Sequence, residues 1–260
     1  MIQNLRTLYQ HRELMWAWML RDIRVRYKQS LLGAAWAVLQ PLSIMAVFSV
    51  IFGYIVPVPT DGTPYPVFSY TALLPWTFFS TAISFAVPSL VNNMSLVTKV
   101  YMPREIFPLA AVAGSFVDFL VAAVVYAGLM LAYRMPVTVT LIAVPALLLI
   151  QVLLTLGVVL FAAALNVFYR DVRFLVPLGL QLWMYATPII YPVSVVPAWL
   201  RPLYMLNPMT GLIEAYRAVA LYGTWPDWAS LAPAAGLSVL LFVFGYVYFK
   251  TVEWQFADII

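Results

Sequence analysis

Apolar positions in this chain run in long uncharged stretches, and the charged positions gather between them. Three stretches, Gln29–Thr60, Gly62–Thr98 and Met135–Tyr169, carry no charged side chain. Each exceeds the ~20 apolar residues that a helix needs to cross a bilayer core of ~30 Å. The runs are continuous rather than alternating, which favours helices over the strands of a membrane barrel. The pattern predicts an all-α integral membrane protein.

The same pattern predicts six transmembrane helices, at Leu31–Val56, Val67–Ser95, Ile106–Tyr133, Leu141–Phe168, Phe174–Tyr191 and Ala229–Phe249. Eleven of the 14 Lys and Arg residues lie in the segments on one side of these spans, 1–30, 96–105, 169–173 and 250–260. Basic residues accumulate on the cytoplasmic side of membrane proteins. These segments, and with them both termini, are therefore predicted to be cytoplasmic.

Two segments fit neither a span nor a simple loop. Residues 1–30 combine apolar and basic helical faces, which predicts an amphipathic interface helix ahead of a single transmembrane domain at 31–260. Residues 192–228 are rich in Trp, Tyr and Pro and have few charges. Asn207 followed by Pro208 is typical of a helix start, and Gly223 of a helix stop. We expect short re-entrant helices here, on the outer side between spans five and six.

Composition narrows the chemistry. Only 9% of residues are charged, cysteine is absent, and the one histidine, His11, lies outside every predicted span. Near Lys250-Thr251, Phe249 stands where a phosphate-binding P-loop requires glycine. The acidic residues do not cluster as Mg²⁺ ligands would. We expect no enzyme activity, no metal and no cofactor in this chain by itself, and the basic residues flank spans rather than forming a nucleic-acid surface.

Within the predicted spans, the clear candidate for a functional ionisable residue is Asp118, which lies in the third span. A charged group at membrane depth needs a partner or an aqueous path. The sequence offers Gln151, Asn166 and Gln181 as candidate neighbours, and it leaves open whether Asp118 lines a path or pairs within the bundle.

Several stretches, taken together and in order, resemble the membrane subunit of polysaccharide-export ABC transporters, the type 2 permeases that move O-antigens, capsules and teichoic acids. They cover nearly the whole chain: Leu20–Gly33, Trp36, Leu39–Leu42, Leu73–Trp76, Val100–Glu105, Asn166–Val172, Gln181–Tyr185, Thr187–Pro192, Leu206–Gly211 and Phe256–Asp258. Phe168 departs from the family pattern, which often has a basic or polar residue there.

The resemblance implies a homodimeric channel in the bacterial inner membrane, bound by two copies of a cytoplasmic ATPase subunit that carries the ATP and Mg²⁺. Its substrate is a glycan on a polyprenyl-pyrophosphate lipid; an exporter of the same fold for a small lipid or drug is the alternative. It also implies an ATPase-coupling segment and an outer gate. The coupling residues are Lys99, Val100, Tyr101, Met102, Pro103, Arg104 and Glu105, and the gate residues are Asn207, Pro208, Glu214 and Arg217. The i,i+3 spacing of Glu214 and Arg217 predicts a local ion pair equally well.

Two further groups of residues are candidates for substrate contact. Arg24, Arg26 and Lys28 carry clustered cations that suit either the pyrophosphate of a lipid-linked glycan or anionic lipid headgroups. Sugar rings also pack on aromatic side chains, which makes aromatics near the spans candidates for a path lining, with lipid contact or helix packing as the alternative. These aromatics are Trp36, Phe48, Phe52, Trp76, Phe79, Trp183 and Tyr185.

Overall fold

The computed structural model describes residues 10–28, 30, 32–60, 62–99 and 102–256, and within them the regular structure is entirely helical. Eleven α-helices follow one another in this part of the chain: α1 Arg12–Tyr27, α2 Trp36–Val50, α3 Tyr65–Ala86, α4 Ser89–Asn92, α5 Met94–Lys99, α6 Ile106–Ala132, α7 Val144–Phe168, α8 Val172–Tyr185, α9 Arg201–Met205, α10 Pro208–Ala220 and α11 Trp228–Val252. The prediction of an all-α membrane protein is confirmed.

Four helical segments of the described chain are long and apolar enough to cross a membrane, namely Trp36–Ile55, Ile106–Ala132, Val139–Phe168 and Trp228–Gln255. They correspond to the first, third, fourth and sixth predicted spans. The first includes a π-helical turn after α2, at Ile51–Ile55, and the fourth begins with a 3-10 turn, at Val139–Ala143.

The second and fifth predicted spans are not among these four, and the helices at their positions are shorter than the sequence indicated. The second, predicted to reach Ser95, ends at Ala86, because Pro88 has no N–H for a continuing helix and α4 and α5 follow as separate turns. The fifth, predicted to reach Tyr191, ends at Tyr185, and Pro188 lies three residues beyond that end. Uniform hydrophobicity concealed both breaks.

Helix α3 forms the centre of the bundle. Phe68, Tyr70 and Phe79 on this helix have no exposed surface, and Phe78 is nearly as enclosed. Helices α2, α6, α7 and α10 all pack against α3. An apolar helix with most of its residues enclosed is typical of a bundle core, although Ser84 and Phe85 near its end are exposed.

Helices α7 and α11 come into direct backbone contact where they cross. A Cβ atom added to Gly245 would overlap the carbonyl oxygen of Gly157, and a Cβ added to Gly157 would meet the backbone of Leu241 at 2.5 Å. Small residues allow such close backbone approach between membrane helices. Near the start of α11, Gly211 of α10 makes a similar approach, because a Cβ added to it would lie 2.5 Å from the Ser230 carbonyl oxygen.

The bundle has two distinct ends. Helix α1 packs on the first half of α6, where the Trp18 and Phe107 rings lie 5.1 Å apart, and we call this the basic end. At the opposite end α10 packs against α3, α7 and α11, and we call this the α10 end. Helix α10 begins at Pro208 with Asn207 as its N-cap, as the sequence predicts, and Gly223 follows it with a positive φ of 63°.

Candidate functional site

Helix α1 is fixed to α6 by a buried polar cluster. The Arg26 guanidinium lies 3.2 Å from the Asp118 carboxylate, and it also donates to the Ser115 hydroxyl at 3.3 Å and the Ala111 carbonyl at 3.1 Å. The Tyr27 hydroxyl donates to the other Asp118 oxygen at 2.9 Å. The partners of Asp118 therefore come from α1. The expected neighbours Gln151, Asn166 and Gln181 are wrong, because two of them bond to backbone carbonyls elsewhere and none reaches Asp118 among the described contacts.

The surroundings of this cluster explain its protonation chemistry. Burial lowers the pKa of Arg26, while Asp118 opposes that shift, and an arginine stays charged in either case. Burial and the bond to Asp118 raise the pKa of Tyr27 to about 12. The Arg26 guanidinium also lies 3.8 Å from the centre of the Phe85 ring. Arg26 is thus a fixed positive charge that donates to three groups and lies against an aromatic ring.

A cavity of about 230 Å³ opens beside the cluster, between α1, α2, α3 and α6. Arg26 and Asp118 line one side of it together with Ser115. The other walls carry aromatic and uncharged polar side chains, namely Trp36, Gln40, Thr77, Phe78, Thr81 and Phe85. Pockets that bind small polar groups have this composition, apolar walls with a few placed hydrogen-bonding groups.

The predicted cationic contact residues divide into two kinds. Arg24 on α1 and Lys28 at its end are both exposed. Arg26 is mostly enclosed and paired with Asp118. Contact of these cations with a pyrophosphate or with lipid headgroups stays a prediction. In this conformation a phosphate could reach Arg24 and Lys28.

The predicted coupling segment is anchored to the end of α11. The carboxylate of Glu105, whose side chain is 2% exposed, lies 2.6 Å from the Lys250 ammonium. Lys250 also pairs with Glu253 at 3.1 Å, and Arg104 donates to the Glu253 carbonyl. Sequence reasoning missed Lys250 and Glu253; their i,i+3 spacing was the signal that could have drawn attention to them.

Apolar contacts reinforce this anchor. Phe256 is fully buried against Phe249, with ring centres 5.4 Å apart, and both belong to a cluster that includes Phe107. Met102 of the coupling segment packs at its edge. Of the remaining predicted coupling residues, Pro103 is half-buried, Val100 and Tyr101 lie outside the described residues, and so does the side chain of Lys99. Contact of this segment with an ATPase stays a prediction.

The seven aromatic residues proposed for a substrate path lie in different surroundings. Trp36 and Tyr185 are exposed, at 51% and 54%. Trp76 and Phe79 are enclosed by helices of the same chain, so in this conformation they are packing residues without a surface for substrate. The other three are partly buried against the core: Phe48, Phe52 and Trp183.

At the α10 end, Asn207 joins three elements. Its side-chain oxygen accepts from the Met209 amide at 3.1 Å and from the Trp183 indole at 2.9 Å. Its amide nitrogen donates to the Thr187 hydroxyl at 2.9 Å. Asn207 thereby caps α10 and fixes it to the end of α8, a role beyond the cap that the sequence predicts.

Arg217 is the most enclosed basic residue in the described chain, at 1% exposure. It pairs with Glu214 at 2.9 Å and donates to the carbonyl oxygens of Ile189 at 2.9 Å and Tyr191 at 3.4 Å. Its guanidinium lies 3.9 Å from the Phe68 ring centre. The local Glu214–Arg217 pair is present, and the carbonyl contacts show that Arg217 also holds the chain that follows α8.

A second polar link reaches α10 from inside the bundle. Gln151 of α7 donates to the Pro75 carbonyl at 2.7 Å and accepts from the Tyr216 hydroxyl at 2.8 Å. Gln151 has no exposed surface, and Tyr216 is buried with it. The sequence marks Gln151 only as a polar residue in an apolar run. In the described ranges, no group of three or more His, Cys, Asp or Glu side chains is placed to hold a metal ion.

Comparison with known proteins identifies the family of this chain. Residues 13–221 match the ABC-2 type transporter family, and the chain therefore belongs to that family. It is 32% identical to the O-antigen export system permease protein RfbA of Myxococcus xanthus, over 99% of both chains. It is 30% identical to the RfbA of Klebsiella pneumoniae, over 92% of both, and 24% identical to the polysialic acid transport protein KpsM of Escherichia coli, over 90% and 91%.

Proposed function

We propose that this ABC-2 family member is the channel-forming subunit of an ATP-driven exporter that moves polyprenyl-pyrophosphate-linked polysaccharide out of the cytoplasm across the inner membrane. The similarity to O-antigen export permeases along 99% of both chains carries the proposal. The KpsM relative, also named for polysaccharide transport, supports the same cargo class.

In this proposal α3 and α8 complete a set of six spans. Helix α3 has 22 residues, about 33 Å at ~1.5 Å per residue, which matches a bilayer core. Helix α8 has 14 residues, and the turns that follow it extend the segment to Ile190. Helices α9 and α10 are then re-entrant on the outer side, and the basic end, with both termini, is cytoplasmic.

The proposed assembly is a homodimer with two ATPase subunits. In the candidate span Trp36–Ile55, only 6% of the residues in the apolar stretch are buried within the chain. Helix α8 exposes Phe174, Leu178 and Leu182. These faces are available to lipid or to a second copy. ATP and Mg²⁺ belong to the ATPase, and this chain acts as a transport subunit without catalysis of its own.

Coupling in this proposal begins at the segment 99–105. Because Arg104 and Glu105 are bonded to Glu253 and Lys250, a push on this segment displaces the end of α11. Helix α11 packs along α7 and meets α10 at Gly211. This contact route gives the ATPase a mechanical connection to the outer helices.

A deletion and complementation experiment in the source bacterium tests the function. Loss of the gene should remove a surface polysaccharide and accumulate lipid-linked glycan on the cytoplasmic face of the inner membrane, and the wild-type gene should restore export. Affinity purification of the restored protein should also recover an ABC ATPase. Unchanged surface glycan, together with a lost resistance to a small drug, would identify the small-cargo exporter instead.

A further inference from the structure

The cavity between α1, α2, α3 and α6 has two facing walls with the same spacing. Trp36 and Gln40 are four residues apart on α2, and Thr77 and Thr81 are four residues apart on α3. Residues at i and i+4 lie on one face of a helix. Each wall therefore presents two such side chains, one above the other, to the same space of about 230 Å³.

The polar groups on these walls are unpaired. Gln40, Thr77 and Thr81 make no side-chain hydrogen bond within the described part of the chain. By contrast, Thr71 on the same helix as the two threonines donates to the Val67 carbonyl at 2.7 Å, as threonines in apolar helices commonly do. Two hydroxyls and one amide are thus free to donate to or accept from a ligand.

The third side of the cavity is electrically balanced. Arg26 and Asp118 neutralise each other at 3.2 Å, and their remaining bonds go to Tyr27, Ser115 and the Ala111 carbonyl. A pyrophosphate placed here would face the Asp118 carboxylate and an arginine whose charge that carboxylate already balances. The charge arrangement disfavours an anion and suits an uncharged polar ligand.

We propose that this cavity binds a single uncharged sugar ring. The apolar C–H face of the ring lies on the exposed Trp36 indole, and its hydroxyls exchange hydrogen bonds with Gln40, Thr77 and Thr81. The proposal deepens the proposed function and rests on it only for the origin of the sugar. The ring belongs either to a glycolipid of the adjacent leaflet or to a soluble saccharide, and the two sources share this chemistry.

Binding can be measured without transport, because the chain has no cysteine. An Ala37→Cys substitution places one environment-sensitive fluorophore in the cavity wall, and Ala198→Cys places the same label at an exposed site far along the chain. The labelled protein, in phosphatidylcholine nanodiscs, is titrated with methyl β-glucoside, with monoglucosyl diacylglycerol in the nanodisc, and with inorganic pyrophosphate.

We expect a saturable response at Ala37→Cys to one or both glucosides, and none at Ala198→Cys. A response to the glycolipid alone assigns the lipid-borne source, and a response to the methyl glucoside as well assigns the soluble one. The double variant Thr77→Val and Thr81→Val should weaken binding by about tenfold or more through two lost hydrogen bonds. Ser84→Ala, an exposed hydroxyl on the same helix, is the matched control.

A response to pyrophosphate but to neither glucoside, or no saturable response at all, overturns the proposal. Equal affinity in the double threonine variant and the Ser84→Ala control also overturns it. These outcomes are independent of the deletion experiment, since a glucoside response can persist in a protein that exports another cargo, and export can persist in a protein without this site.

Discussion

The two ends of the bundle each enclose an arginine, and they hold it differently. At the basic end, Arg26 is paired with a carboxylate from another helix, Asp118. At the α10 end, Arg217 is paired with Glu214 on its own helix and spends two donors on backbone carbonyls after α8. The first arrangement joins two elements through a side-chain ion pair and a single backbone bond, to the Ala111 carbonyl. The second joins them through the backbone, which substitution of the partner residue cannot remove.

The difference bears on which end can move. The ion pair of Arg26 depends on the Asp118 side chain, which one substitution can remove, and a cavity lies beside it. Arg217 is enclosed on all sides, with its Nε buried and without a hydrogen-bond partner among the described residues. We therefore expect the α10 end to contribute mainly stability and the basic end to tolerate rearrangement.

The largest effect is expected from Arg217→Met. The substitution leaves the Ile189 and Tyr191 carbonyls without their donor, which costs roughly 1–3 kcal/mol for each buried acceptor, and it also removes the pairing with the partly exposed Glu214. A large drop in thermal stability in nanodiscs should follow. Arg201→Met is the control, because Arg201 also bonds to carbonyls but is exposed. Equal losses of thermal stability in Arg217→Met and Arg201→Met would show that enclosure of the arginine does not matter.

Gly245→Ala tests whether the two ends are rigidly connected. The new Cβ would overlap the Gly157 carbonyl oxygen, which forces α7 and α11 apart and costs about 1–3 kcal/mol. The midpoint of thermal unfolding should fall. The partner ATPase should continue to hydrolyse ATP while export declines. In Gly236→Ala on the same helix, the new Cβ meets no atom within 4 Å, so the thermal midpoint and export should both stay unchanged. An unaltered midpoint in Gly245→Ala would contradict the close crossing.

Asp118→Asn should loosen α1 with little effect on the rest of the fold. The change removes a charged acceptor from Arg26 and Tyr27, a loss of about 1.5–3 kcal/mol for docking of the helix. Spin labels on Val25→Cys and Val124→Cys, both exposed, should report a broader distance distribution. Asp171→Asn is a control distant in sequence from α1. A distance distribution as narrow as in the labelled protein that keeps Asp118 would show that packing alone docks α1.

Glu105→Gln and Glu253→Gln compare the two acidic partners of Lys250. Glu105 is almost fully enclosed, whereas Glu253 is 28% exposed, so loss of the first charge should destabilise more than loss of the second. Export per ATP hydrolysed should fall in Glu105→Gln and stay near normal in Glu253→Gln. The reverse order would place the coupling contact on Glu253.

The smallest effect is a pH dependence at the basic end. Tyr27 has a folded-state pKa of about 12, above its ordinary value of 10.0. A raised pKa means that its contribution to docking is complete below a pH of about 10 and is lost as the pH rises toward about 12. The spin-label distances should broaden in that window for the unsubstituted protein and much less for Tyr27→Phe. Identical pH profiles would exclude Tyr27 as the titrating group.

The sequence by itself determined the class of protein and several local features. In lipid, the backbone N–H and C=O groups of a long uncharged run must bond to one another, and a continuous apolar run does so as a helix. The Asn207-Pro208 start of α10 and the i,i+3 pair of Glu214 and Arg217 follow local rules, and the structure confirms both. Local physics of this kind depends on neighbours within a few residues, which the sequence displays directly.

Only the tertiary structure decided the long-range partners. Asp118 lies 92 positions from Arg26, and Glu105 pairs with Lys250 across the chain. An apolar run of nearly uniform composition contains no signal for which face meets which helix, so the enclosure of Phe79 and the exposure of Trp36 could not be read from it. Burial and charge pairing arise when distant helices pack, and packing is a property of the whole bundle.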